Sequence, residues 1–361
     1  MTRDVNTEIR LAMFGQSAAG KTTLLASYFG NQQRHAFEER HGFRLQAQET
    51  SDGNQLLGRY YGMEQGRFPH GSDEFREHRF AVMLRMPEKS ERAFGVVWYD
   101  YPGGWWERTP SDVGEQEARR EALEKLVTSH VGILLLDGAK YVSEGMPYVR
   151  NLLDHFKNEI HRLAPSSPND ELPRQWIIAV SKADLLPPGT TAEAVCKDLL
   201  TNASDQLHGL AKALPSHTSF GRHFLLLSAA RGDGARVMDA HSYIGLTLVA
   251  PLALSALMSD VLVSADAGQQ YGWLRTLLEK LREVVAIVDK LDDLLPRKYQ
   301  VLTHLLRILS ADDALVKGTE YFATKQEAAA RKGDALKAAV YAMQRELASD
   351  EAQGVYYESR S

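Results

Sequence analysis

The run Gly15-Gln16-Ser17-Ala18-Ala19-Gly20-Lys21-Thr22 decides the fold. It matches the pattern G-x-x-x-x-G-K-[ST] at every fixed position. An apolar run, Ile9 to Phe14, precedes it, and a helix-length segment, Lys21 to Phe29, follows it. A strand feeding a glycine-rich turn into a helix N-terminus is the setting in which this pattern holds phosphate. The glycines let backbone amides close on anionic oxygens, and the helix end adds its positive dipole. Gly15, Gln16, Ser17, Ala18, Ala19, Gly20, Lys21, Thr22 and Thr23 are therefore expected to line a phosphate site. Within it Lys21 reaches the β- and γ-phosphates and the Thr22 hydroxyl ligates Mg²⁺.

Outward from that loop, apolar strand-like runs alternate with helix-length segments as far as residue 240. Phe94 to Tyr99, Val131 to Asp137, Trp176 to Val180 and His223 to Leu227 read as strands. Glu115 to Ser129, Met146 to Leu163 and Ala192 to Leu214 read as helices. Nearly continuous apolar strands separated by helices imply a parallel sheet covered on both faces. Phe80 to Met86 lies one short polar turn before Phe94, which predicts an antiparallel hairpin. The expected fold is thus α/β, a mainly parallel sheet with one antiparallel strand and a helical C-terminal region.

Three strand ends carry chemistry. Asp100-Tyr-Pro-Gly103 places a carboxylate where Mg²⁺ must be held and a glycine whose amide can approach a γ-phosphate. Ser181-Lys182-Ala183-Asp184 delivers a carboxylate able to accept paired hydrogen bonds from guanine N1 and N2, which adenine does not offer. Ser228-Ala229 closes the next strand. Taken singly, each reads equally as a strand end and a polar turn.

In this order, phosphate loop, Asp-x-x-Gly, Lys-x-Asp and Ser-Ala, the motifs resemble those of the P-loop GTPases of the translation-factor and Ras-like class. The resemblance covers residues 8 to 232 and implies GTP or GDP with Mg²⁺ as ligands. It implies that Lys21, Gly103 and Ser72 serve catalysis and that Thr22, Ser72 and Asp100 hold the metal. It also implies that Lys182 and Asp184 read the base, with Ser228 and Ala229 supporting it. Ser72, in Phe68-Pro69-His70-Gly71-Ser72, is the first-switch candidate by its position ahead of Phe80, and Thr50 is the other. The Pro-x-Gly-Ser form also resembles the bacterial GTPases called double-GTPase proteins. Two departures stand out: Ser181 replaces the usual Asn or Thr, and Gly104 replaces the glutamine that orients water in Ras.

The chain has 361 residues, 44% hydrophobic and 25% charged, the profile of an ordinary globular protein. A net charge of −5 with no basic run gives no footprint for nucleic acid and does not favour a membrane surface. One cysteine, Cys196, excludes an internal disulfide and fits a reducing compartment, so a cytoplasmic location is expected. The apolar stretch from Ile244 to Val263 is broken by Gly245, Pro251 and Asp260 and reads as a buried helix rather than a span. The histidines lack metal-ligand spacing, so no zinc site is expected.

Beyond residue 240 the pattern turns helical. Leu274, Leu277, Leu281, Val284, Val288, Leu291 and Leu295 form a heptad seam, and residues 351–361 read as a polar tail. The expected organisation is a GTPase unit over 1–240, a helical region over 241–350 and that tail. The function this implies is a GTP-hydrolysing switch with a helical readout. It would bind a protein partner or a second copy through the switch regions and through the helices, with Trp105 and Trp106 either exposed as the contact surface or packed under the switch. A scaffold that binds nucleotide without much hydrolysis, and an ATPase, are the alternatives.

Overall fold

The glycine-rich turn is the bend between the central strand of the sheet and the first helix. The computed structural model describes residues 8–87, 89–106, 108–162, 174–214, 218–254, 312–331, 335–349 and 352–359. Strand β1 (Glu8–Phe14) runs into helix α1 (Lys21–Gln32). Strand β1 lies between β4 (Ser90–Asp100) and β5 (Val131–Asp137) and is parallel to both. Strands β6 (Arg174–Ser181) and β7 (Thr218–Leu226) continue the parallel set. On the other side β3 (Arg76–Arg85) pairs antiparallel with β4, as the hairpin spacing predicts. With β2 (Phe43–Ala47) and β10 (Tyr356–Glu358) at its edges, the sheet order is β10-β7-β6-β5-β1-β4-β3-β2; helix α5 (Gly138–Glu144) follows β5, and β8 (Arg231–Gly232) and β9 (Val237–Asp239) form a separate pair.

Alternation along the central strands separates two cores, as a period of two requires. Ile9, Leu11 and Met13 face one cluster with Leu24, Leu25, Tyr28 and Phe29 of α1. Ala12 and Phe14 face the other, with α4 (Val113–Val127) and α6 (Met146–Arg162). Phe14 stacks on Phe156 of α6 with ring centroids 3.8 Å apart. Each such fully buried large side chain stabilises the fold by about 1.5–3 kcal/mol.

Because β1, β4, β5, β6 and β7 are parallel, their carboxyl ends emerge along one edge. Ligands in open α/β sheets bind at that edge.

The structure fills the long segment ahead of β3 with elements the sequence does not announce. Helix α2 (His35–His41), strand β2 (Phe43–Ala47) and helix α3 (Thr50–Glu64) occupy it. Helix α3 contains Gly53, Gly58 and Gly62, which lower helix propensity, so packing fixes it instead. At Gly30 of α1, an added Cβ would stand 2.1 Å from the Tyr60 ring, so the missing side chain lets α1 and α3 approach closely there. The stretch expected as one helix from Ala192 to Leu214 breaks at Ala203 into α7 (Ala192–Asn202) and α8 (Ser204–Ala213).

At the C-terminus, α9 (Asp312–Arg331) and α10 (Ala335–Leu347) bring Ala339, Met343 and Leu347 into the core beside α1, β3 and β4. Within the stretch 351–361, Tyr356–Glu358 is strand β10, antiparallel to β7, a second strand running against the others. Strand β10 takes the side of β7 that β6 leaves unpaired and is itself the edge of the sheet, and Tyr356 and Tyr357 suit a half-buried strand. Tyr356 Oη lies 2.7 Å from His223 Nδ1, and Arg222 Nε donates to Glu358 at 2.8 Å. Leu248, Val249, Leu252 and Ala253 are buried in the main core, and residues beyond 254 of that apolar stretch lie outside the described residues. The heptad seam from Leu274 to Leu295 lies outside them too. No helix among the described residues is long and apolar enough to cross a membrane.

Candidate functional site

The turn from Gly15 to Gly20 owes its shape to two left-handed residues. Gly20 has φ 89° and Ala18 has φ 60°. Glycine takes that conformation freely, whereas alanine is strained in it, by about 1–2 kcal/mol. Strain of this kind persists where surrounding structure fixes the backbone, and it collects at binding sites. Lys21 folds back over the turn, its Nζ donating to the carbonyls of Gly15 at 2.7 Å and Gln16 at 2.9 Å. A phosphate group seated there would meet a cation already centred on the loop.

Strand, left-handed turn, lysine and helix start are all in place. The chain carries a P-loop.

Beside it three oxygens from distant parts of the sequence meet. Ser72 Oγ donates to Asp100 Oδ2 at 2.6 Å, Thr22 Oγ1 donates to the same oxygen at 3.1 Å, and the two hydroxyls lie 3.4 Å apart. Asp100 is 1% exposed, at the end of β4. Two hydroxyls and a carboxylate are the hard oxygen donors that suit Mg²⁺. The other first-switch candidate, Thr50, is exposed at the start of α3 and is absent from the described lining of the cleft.

Gly103 packs on the P-loop itself. A Cβ there would stand 2.5 Å from Ser17 N and 2.6 Å from the Gln16 carbonyl carbon and oxygen. Only a residue without a side chain fits that approach. Among the described residues nothing lies within 4 Å of a Cβ added at Gly104, and glycine itself contributes no side chain for positioning water. Trp105 is half-buried, edge-on to Tyr101 at 5.2 Å, with the Arg119 guanidinium 5.7 Å from its ring. It is therefore packed under the loop rather than presented as a free contact surface. The Trp106 side chain and Glu107 lie outside the described residues.

At the other end of the same cleft stands Asp184. Its Oδ1 accepts from Ser228 Oγ at 2.7 Å and its Oδ2 from the Gly232 amide at 2.9 Å. A carboxylate has about four acceptor positions, so capacity for a ligand remains. Lys182 is left-handed, with φ 51°, and its Nζ donates to the buried Asp137 at 2.7 Å. The Ser181 hydroxyl donates to the Leu136 carbonyl, bracing the end of β6 against β5. Ser27 Oγ of α1 donates to the Ala229 carbonyl, tying the helix after the P-loop to the loop after β7.

The cleft has a volume of about 740 Å³ and runs from Lys21, Ser72 and Gly103 to Lys182, Asp184 and Ala229. Gly15, Gln16 and Ala19 lie beneath its described lining, while Ser17, Ala18, Gly20, Thr22, Thr23 and Ser228 are in it. Asp100 sits just behind, bonded to the lining residues Thr22 and Ser72.

No family model matches the chain, and no curated protein sequence matches it. Solved structures to which it is similar include Aquifex aeolicus Era bound to GDP.AlF4-, at 16% identity and a TM-score of 0.28 over 62% of this chain. The GTP-bound Ski7 GTPase-like domain of S. cerevisiae is similar at 13% identity and a TM-score of 0.34, again over 62% of this chain. The signal recognition particle receptor SRb-GTP/SRX complex from Chaetomium thermophilum is similar at 18% identity and a TM-score of 0.30, also over 62%. The chain spans about half of the Era chain, at 51%, and 43% of the Ski7 chain, but 92% of the third.

Two groups at the site carry no sequence signal. Arg119 of α4 donates to the carbonyls of Trp105 at 2.6 Å and Arg108 at 2.7 Å, holding the loop after β4. Arg59 of α3 has a buried Nη1 without a hydrogen-bond partner. Burial lowers its pKa, and the nearby Asp100 charge opposes that shift.

Proposed function

We propose that the chain binds GTP with Mg²⁺ and hydrolyses it slowly, as a molecular switch. The observation that carries this reading is the cleft with a P-loop, hydroxyls and a carboxylate at one end and the Asp184–Ser228 pair at the other. That arrangement has the length order and chemical polarity of a nucleoside triphosphate: anion-binding amides first, then a carboxylate acceptor for a base with donors.

In this reading the P-loop amides and Lys21 take the phosphates. Thr22, Ser72 and Asp100 hold Mg²⁺, which supplies charge neutralisation between the β- and γ-phosphates. Asp184 selects guanine because its remaining acceptor capacity suits a base edge with two N–H donors, which adenine does not present. Gly103, pressed against Ser17, couples the loop after β4 to phosphate occupancy. Gly104 supports a slow intrinsic rate, since phosphoryl transfer needs an aligned water and nothing at this position aligns one.

The same reading makes residues 1–240 the nucleotide-binding unit and 241–350 the readout, with a protein partner or second copy as effector and the cytoplasm as location. The packing of α10 on β3 and β4 joins this region to the two strands that lead into the switch segments, and that supports a readout through the sheet. The test is nucleotide binding by Lys21→Ala. This substitution removes a charge-assisted contact worth about 1.5–3 kcal/mol, so triphosphate affinity should fall at least about tenfold while circular dichroism stays that of folded protein. Unchanged affinity in folded Lys21→Ala protein contradicts the proposal.

A further inference from the structure

Phosphoryl transfer asks for positive charge at the terminal phosphate, and three arginines stand near the switch segments in sequence: Arg67, Arg76 and Arg108. The fold separates them. Arg67 Nη2 donates to Gln65, and Arg76 Nη1 donates to Gln55 at 2.6 Å; neither belongs to the described lining of the cleft. Arg108 does, on the same wall as Gly103 and Gly104, the wall that meets the P-loop at Ser17.

Arg108 is not free to swing. Its Nη2 lies 2.6 Å from Glu115 Oε1 and its Nη1 donates to Glu115 Oε2 at 3.0 Å, a two-point grip. Glu115 is itself a hub. Its Oε2 accepts from the Ser111 amide at 2.6 Å and hydroxyl at 2.7 Å, and its Oε1 from Arg119 at 2.8 Å. Those donors hold its carboxyl well below the usual range, the Ser111 amide contributing most, so it stays an anion. The backbone on either side of Glu107 is pinned by Arg119 through the Trp105 and Arg108 carbonyls. A backbone held in place beside a side chain 54% exposed is a hinge for that side chain alone.

We propose that Arg108 is this chain's own charge-compensating arginine, parked on Glu115 and transferred to the terminal phosphoryl group of a bound nucleoside triphosphate. The inference rests on the proposed hydrolysis of GTP. In the step, the oxygen of a water forms a bond to the γ-phosphorus while the bond from that phosphorus to the β–γ bridging oxygen breaks. The bond electrons remain on the β-phosphate of GDP, and the water proton ends on inorganic phosphate. Arg108 keeps all its protons and contributes hydrogen bonds and charge. The exchange is of one anion for another: Glu115 holds the guanidinium with one carboxylate charge, and a triphosphate offers more negative charge and more acceptor oxygens for the same planar fork.

The experiment compares wild type with Arg108→Ala, Arg108→Lys and Glu115→Gln in three measurements on the full chain: GTP affinity, single-turnover hydrolysis, and formation of a complex with GDP, Mg²⁺ and aluminium fluoride. Arg108→Ala should bind GTP within a few-fold of wild type. Its hydrolysis should fall on the order of 10³-fold, and its aluminium fluoride complex should be lost. Arg108→Lys should not restore either, because an ammonium lacks the planar fork. Glu115→Gln, which weakens the parked state, should hydrolyse faster than wild type. Hydrolysis and aluminium fluoride binding by Arg108→Ala at wild-type levels overturn the inference and leave the GTP reading standing. Wild-type protein that binds no GTP overturns that reading instead, and this inference with it.

Discussion

Ser72 Oγ and Asp100 Oδ2 are 2.6 Å apart, joining a loop that follows α3 to the end of β4 across 28 residues of sequence. Asp100 also accepts from Thr22, so one buried carboxylate oxygen gathers the P-loop helix and the first-switch candidate. Two hydroxyls and a carboxylate thus meet at one point beside the P-loop.

Ser72→Ala is therefore expected to separate metal from nucleotide. The lost hydrogen bond lowers stability by about 1 kcal/mol. GTP affinity should fall and require more Mg²⁺, while GDP affinity changes less. A Mg²⁺ titration followed by fluorescent nucleotide binding measures this; an unchanged Mg²⁺ requirement would remove Ser72 from the metal site.

Gly103→Ala tests the close approach to the P-loop. An added Cβ 2.5 Å from Ser17 N forces the two loops apart, and overpacking of this kind costs about 1–3 kcal/mol. The expected outcome is a lower unfolding midpoint together with weaker triphosphate binding. Gly104→Ala, with open space around its Cβ, is the control and should leave both unchanged.

Asp184→Asn should reverse the choice of base. The amide replaces an acceptor with a donor, so guanine loses a partner and xanthine gains one. GTP affinity is expected to drop by about 1–3 kcal/mol while xanthosine triphosphate binding strengthens. Competition binding with both nucleotides reads this directly, and an indifferent variant would mean that Asp184 does not face the base.

How much of this was legible beforehand differs by element. The central strands were, because burial on both faces leaves a continuous apolar run such as Val131 to Asp137. Lys21, Thr22, Asp100 and Asp184 were legible because their chemistry fixes their spacing from strand ends. Helix α3 was not, since its glycines argue against a helix and tertiary contacts hold it, Leu56 in the core and Tyr60 against Gly30 among them. Strand β10 was not, since three residues in a polar stretch gain their meaning from the free edge of β7. Arg119 and Glu115 read as ordinary charges on a helix; their contacts with Trp105, Arg108 and Ser111 exist only after folding.

The edge formed by β10 is expected to loosen in acid. Burial, with Arg222 adding to it, lowers the pKa of His223 from 6.5 to about 3, and its Nδ1 is paired with Tyr356 Oη. A histidine whose folded pKa is depressed binds fewer protons folded than unfolded between those two values. Its contribution is therefore intact above pH 6.5 and is lost progressively as pH falls toward 3. The unfolding midpoint should drop between pH 7 and pH 4, and His223→Gln should flatten part of that drop. Hydrogen exchange at residues 356–358 should rise first.

The central claim, a cleft built for guanine nucleotide, is tested most directly by equilibrium competition. Purified chain with Mg²⁺ and a fluorescent GDP is titrated with GTP, GDP and ATP. GTP and GDP are predicted to displace the probe at concentrations at least about 100-fold lower than ATP, because the Asp184 carboxylate accepts from guanine and finds no matching donors on adenine. Displacement by ATP at the same concentration as GTP, or no nucleotide binding at all, would contradict the account.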